Sequence, residues 1–143
     1  MRRKLTWLLA MSLGILLLRI ASAQQKPQFP EELVKLMEEV QERFKPLQDA
    51  ARFSKAKFET QAKHEELAQH ATRMAELMKQ TTKFAPEKDL PDKPKKEWNE
   101  TCETSAKYAL ELAAAARKKD YSAYRKAFKS MDAACTRCHE IFR

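Results

Sequence analysis

The chain has 143 residues, a formal net charge of +8 and a single glycine, Gly14. That length supports one modest core rather than several domains. With no glycine beyond residue 14 to supply φ > 0 positions, tight β-hairpins and glycine-rich phosphate loops are disfavoured. Ala, Leu, Met, Glu, Lys and Gln are abundant, so the expected fold class is all-α.

The first 23 residues do not belong to that fold. Arg2, Arg3 and Lys4 precede an apolar run from Leu5 to Leu18, and Ala21-Ser22-Ala23 offers the small residues a signal peptidase reads. The run is short against the ~20 residues needed to cross a bilayer. The expectation is a cleaved signal peptide over 1–23, a folded domain over 24–143 and a periplasmic address, with an uncleaved N-terminal anchor as the other option. Losing Arg2, Arg3, Lys4 and Arg19 lowers the formal charge from +8 to +4. The basic balance is then no argument for nucleic acid as a partner.

Four helical stretches follow. The first begins after Pro30 with Glu31 and Glu32 near the positive end of the helix dipole. Its apolar positions are Leu33, Leu36, Met37, Val40, Phe44 and Leu47, and Pro46 is expected to end or kink it. The second runs from about Ser54 to Lys83, with Phe58, Leu67, Ala71, Met74, Leu77 and Met78 inward. Residues 85–95 hold three prolines and read as an irregular crossing loop. The third runs from about Lys95 to Lys118, with Trp98, Cys102, Ser105, Ala109, Leu112 and Ala116 on one face. After a short turn that Asp120 can cap, the fourth carries Tyr121, Tyr124, Phe128, Met131, Cys135, Cys138 and Phe142 at alternating spacings of three and four. Four such helices suggest an up-down-up-down four-helix bundle.

The fourth helix ends in Cys135-Thr136-Arg137-Cys138-His139. A Cys-x-x-Cys-His run is the covalent attachment signal of a c-type haem: two thiols for the vinyl groups, and an adjacent imidazole for the iron. The motif predicts one covalently bound haem c per chain, with Cys135 and Cys138 as thioether residues and His139 as an iron ligand. It also explains an odd number of cysteines in an exported chain, since only Cys102 is left over. Two rivals use the same residues. A zinc site could recruit Cys102, Cys135, Cys138 and His139, but adjacent Cys138 and His139 on a helix diverge by about 100°. A thiol–disulfide oxidoreductase needs its Cys-x-x-Cys at a helix N-terminus, where the dipole lowers the thiol pKa; here the pair sits at the far end. No catalytic set of an enzyme can be assembled. Lysines 93, 95, 96, 118 and 119 are candidates for a docking face toward an acidic redox partner, and His64 and His70, set among charged neighbours, read as solvated surface.

With its signal segment, its four helices and the ending Cys135-Thr136-Arg137-Cys138-His139-Glu140-Ile141-Phe142-Arg143, the chain resembles the class II c-type cytochromes, the cytochrome c′ and cytochrome c-556 group. Trp98 also matches a position where that family often carries tryptophan. The resemblance implies that His139 is the proximal ligand and that Arg143 lies beside it. It also implies that the first helix supplies the group over the other haem face. Lys35-Leu36-Met37 falls where the c-556 type carries its methionine, which makes Met37 the expected distal ligand of an electron-transfer protein. The alternative is a five-coordinate cytochrome c′ that binds nitric oxide or carbon monoxide, with Leu33 or Leu36 over an open site. Partners would be redox proteins or such gases, and a homodimer is compatible with the family.

Overall fold

The computed structural model describes residues 29–88 and 90–143. The expected signal segment lies outside the described residues. Five helices follow in order: α1 (Glu31–Ala51), α2 (Lys55–Gln61), α3 (His64–Thr81), α4 (Lys95–Arg117) and α5 (Tyr121–Phe142). A 3-10 turn covers Thr82–Phe84, and no strand occurs among the described residues. The all-α expectation holds, with five helices packed against one another rather than the expected four.

Two boundaries differ from the sequence reading. Pro46 does not end the first helix; α1 continues through it to Ala51. The carbonyl that loses its partner belongs to Glu42, an exposed residue, where water can satisfy it. Beyond the proline, burial of Leu47, Ala50 and Ala51 holds the last turn in place. The second expected helix is two helices, separated by Ala62 and Lys63 in non-helical conformations. Phe58 and Leu67, nine positions apart, would lie about 180° apart on one continuous helix. The break brings both into the core, where Phe58 is 0% and Leu67 6% exposed. Ser54 caps the short helix, accepting from the Lys57 amide at 3.2 Å.

The inward positions expected of the second and third stretches hold. All six positions listed for the second stretch and all six for the third, Ser105 among them, are buried. Asp120 caps α5, its carboxylate accepting from the Ala123 amide at 2.9 Å. Before it, α4 closes with Asp120 N–H donating to Ala115 and Lys119 N–H to Ala116. This closure places Lys119 at φ 56, a left-handed position that glycine usually fills.

Each long helix packs antiparallel to its neighbour. Glu39–Arg73 pairs α1 with α3, and Glu32–Lys83 pairs α1 with the 3-10 turn that follows α3. The Trp98 indole donates to the Thr81 carbonyl at 3.0 Å, and Arg117 meets Glu65 at 3.5 Å, joining α3 to α4. Trp98 on Phe142 (5.0 Å between ring centroids) and Ser105 beside Cys135 join α4 to α5. Phe44 on Phe128 (5.3 Å) and the Tyr124 hydroxyl on the Leu47 carbonyl (3.2 Å) join α1 to α5. Tyr124 is fully buried, so Tyr124→Phe removes a hydrogen bond that water cannot replace. The expected cost is about 1 kcal/mol, read as a lower urea midpoint with an unchanged slope.

His64 is not solvated surface. Both ring nitrogens are enclosed without a hydrogen-bond partner among the described residues, and the ring stands edge-on to Phe58 at 4.9 Å. It begins α3 at the end of the helices where Phe58 also meets Tyr121 and Tyr124. Cys135 and Cys138 lie toward the other end of α5.

Candidate functional site

The C-terminal half of α5 is fixed from the α4 side. Phe142 (5% exposed) packs edge-on against Trp98, which is anchored to the Thr81 carbonyl. Arg137 pairs with Glu97 across the same interface. Three and four residues back from Phe142, His139 is exposed and Cys138 half-buried; Cys135, one turn further back, is also half-buried.

The three thiols cluster at the α4–α5 contact. Ser105 Oγ lies 3.6 Å from Cys135 Sγ, and the Thr101 hydroxyl lies beside Cys138. Burial raises the pKa of Cys135 and of Cys138, partly offset by those hydroxyls. Cys102 is wholly buried; burial, with the neighbouring Cys138 and Cys135, pushes it up to about 12. All three are protonated thiols at neutral pH. This opposes the low thiol pKa that disulfide-exchange chemistry uses. No group of three or more His, Cys, Asp or Glu side chains among the described residues is arranged to hold a metal ion. The four residues of the zinc alternative therefore do not converge on a point.

His139 titrates below its ordinary value, through partial desolvation of the ring and then the charge of Arg143. The imidazole is thus neutral near pH 7 and keeps a lone pair to donate. The Arg143 amide donates to the His139 carbonyl at 3.1 Å, and its charge acts on the ring.

On α1, an apolar stripe is only half covered. Leu33 is 5% exposed and Leu47 fully buried, but Leu36, Met37, Val40 and Phe44 between them are half-buried. Phe44 is level with Phe128. Counting seven residues along each antiparallel helix from that contact sets Met37 level with Cys135, and counting eleven sets Leu33 level with His139. Toward α3, by contrast, α1 is closed by the two-pronged contact of Arg73 on Glu39, at 2.8 and 3.1 Å. By the count from Phe44 and Phe128, the half-covered apolar stripe of α1 falls at the same levels along the helices as the two thiols and the neutral imidazole of α5.

The lysines considered as a docking face do not form one. Lys95 and Lys96 open α4 with Lys93 just before it, and Lys118 and Lys119 follow its end, about 35 Å away at 1.5 Å per residue. The concentrated basic surface is instead a groove of about 690 Å³ between the end of α1 and α5, lined by Arg52, Arg125, Lys126 and Lys129. Sequence reasoning missed it because its cations come from two helices whose pairing is a tertiary fact. No protein-family model, no curated protein and no solved structure matches the chain.

Proposed function

We propose that this chain is an exported, monohaem c-type cytochrome of class II that carries electrons in the periplasm, its long helices forming an up-down-up-down bundle. The observation that carries the reading is the Cys-x-x-Cys-His run near the end of α5, with the half-covered apolar stripe of α1 at the same level by residue count. Cys135 and Cys138 would hold the haem as thioethers, His139 would be the proximal ligand, and Met37 the distal one. When bound, the haem supplies a one-electron iron centre. Helical side chains lean toward their own N-terminus. In an antiparallel pair that lean carries His139 and Met37 toward a common level, starting from positions opposite Leu33 and Cys135. The stripe of Leu36, Val40 and Phe44 would exclude water from the iron. Arg143 would place a fixed positive charge beside the proximal imidazole.

The second reading is a five-coordinate cytochrome c′, favoured by the register that sets Leu33 level with His139. The absorption spectrum of protein exported together with a haem-attachment apparatus separates the two. The expected result is a low-spin reduced spectrum, a methionine–iron charge-transfer band in the oxidised form, and no rapid binding of carbon monoxide. A high-spin spectrum with ready carbon monoxide binding would establish the second reading instead, and a chain without covalent haem would overturn both.

A further inference from the structure

The groove between the end of α1 and α5 has no role in holding a haem, yet its charge is unusual for this surface. Its lining includes Arg52, Arg125, Lys126 and Lys129 against one carboxylate, Asp132. Seven arginines fall in the described segment. Arg43, Arg73, Arg117 and Arg137 pair with carboxylates on their own or a neighbouring helix. The two in the groove have no carboxylate partner among the described residues, and neither have Lys126 and Lys129; Arg125 lies instead 5.6 Å over the Tyr121 ring. Four like charges are thus held side by side without neutralisation, at a cost in repulsion that a partner's carboxylates would relieve. The walls are not purely ionic. Ala51, Tyr121 and Phe128 also line the groove. A lining that mixes cations with apolar side chains is the make-up of a protein interface rather than of a site for a small free anion.

The groove also adjoins the place where a haem would hang. Phe128 lies two turns and Asp132 one turn before Cys135 on the same helix, about 10 Å and 5 Å along its axis. We infer that this groove is the docking surface for an acidic redox protein, whose carboxylates would sit among Arg52, Arg125, Lys126 and Lys129 and whose redox centre would approach the edge of the haem. The inference rests on the cytochrome reading but concerns surface residues that hold no part of the cofactor.

The test uses the full haem-loaded protein and, as probe, a flavodoxin, a small acidic electron carrier. Reduction of the oxidised haem by reduced flavodoxin is followed by stopped flow at low and high salt, and binding of the two proteins is measured by calorimetry. The wild-type rate should fall about tenfold with salt. The Arg125→Glu/Lys129→Glu pair should react about tenfold more slowly at low salt, lose its salt dependence and bind correspondingly less. Arg125→Gln/Lys129→Gln should be intermediate. Lys79→Glu/Lys107→Glu, the same change in net charge placed on α3 and α4, should behave close to wild type. Equal loss in that control pair would overturn the groove as the site, as would wild-type behaviour of the groove pair. Stronger binding of wild type to phosphatidylglycerol vesicles than to flavodoxin would replace the protein partner by a lipid surface. Reduction by dithionite, which needs no docking, should be the same in all variants; a chain with no haem to reduce would fail the cytochrome reading itself, while the calorimetry would still decide the groove.

Discussion

Cys138→Ser, exported beside a haem-attachment apparatus, should lower the fraction of chains whose intact mass includes one haem by at least about tenfold, and Cys135→Ser should do the same. Cys102→Ala should leave that fraction unchanged. Cys135 and Cys138 are half-buried in α5, whereas Cys102 is wholly enclosed against them. Addition to a vinyl group forms one carbon–sulfur bond and moves the thiol hydrogen to carbon, so it needs no oxidant, only access. Cys102 has neither the access nor the acidity, with a pKa pushed up to about 12. The experiment also separates the rival class. A structural zinc site built on all three thiols would lose its metal in each of the three variants alike. A protein that arrives without haem, binds zinc and loses it on Cys102→Ala would decide for that rival.

Much of this arrangement is legible from residue order, and the exceptions have physical causes. The last two helices follow their periodicity almost to the residue, because Asp120 marks the start of one and the proline-rich loop the start of the other. The division of α2 from α3 was written in the sequence as a phase slip: Leu67, Ala71, Met74 and Met78 share a face that Phe58 does not, and all five are buried. A period that fits each half and fails across the join is evidence of a break even where neither glycine nor proline stands at it. Of the two outcomes expected at Pro46, an end or a kink, the end does not occur, since a proline on a solvent-facing turn deprives only a hydrated carbonyl. The enclosure of His64 could not be foreseen from charged neighbours, because it depends on the turn that folds its ring onto Phe58. The candidate site divides in the same way. Two thiols and an imidazole are fixed by local spacing on one helix, whereas the group across from them depends on how α1 lies against α5, which local spacing does not contain.

Met37→Ala bears on that group directly. It should convert a low-spin haem to a high-spin one, abolish the methionine–iron charge-transfer band, admit carbon monoxide and lower the reduction potential, since a thioether ligand raises it. The fold should tolerate the change. Met37 is only half-buried, so its removal leaves a surface indentation rather than a closed cavity. Leu33 supplies the contrast: at 5% exposure it belongs to the core, and Leu33→Ala should cost about 2–5 kcal/mol while leaving the iron low-spin. The two variants therefore pull stability and spectrum apart. If Leu33 rather than Met37 guards the iron, wild type is already high-spin and Met37→Ala changes neither spectrum nor gas binding. If Met37→Ala leaves a low-spin spectrum intact, another side chain closes the sixth position. His64 is a poor candidate for that role, because it stands with Phe58, Tyr121 and Tyr124. Tyr124 is fourteen residues before Cys138 on α5, about 20 Å along the helix and beyond the reach of an imidazole. The other members of the half-covered stripe, Leu36, Val40 and Phe44, carry no atom that can ligate iron. A low-spin haem in this chain and an inert Met37 are thus incompatible with α1 lying against α5 in the register set by Phe44 and Phe128, and finding both would require the helices to re-pair when haem is bound.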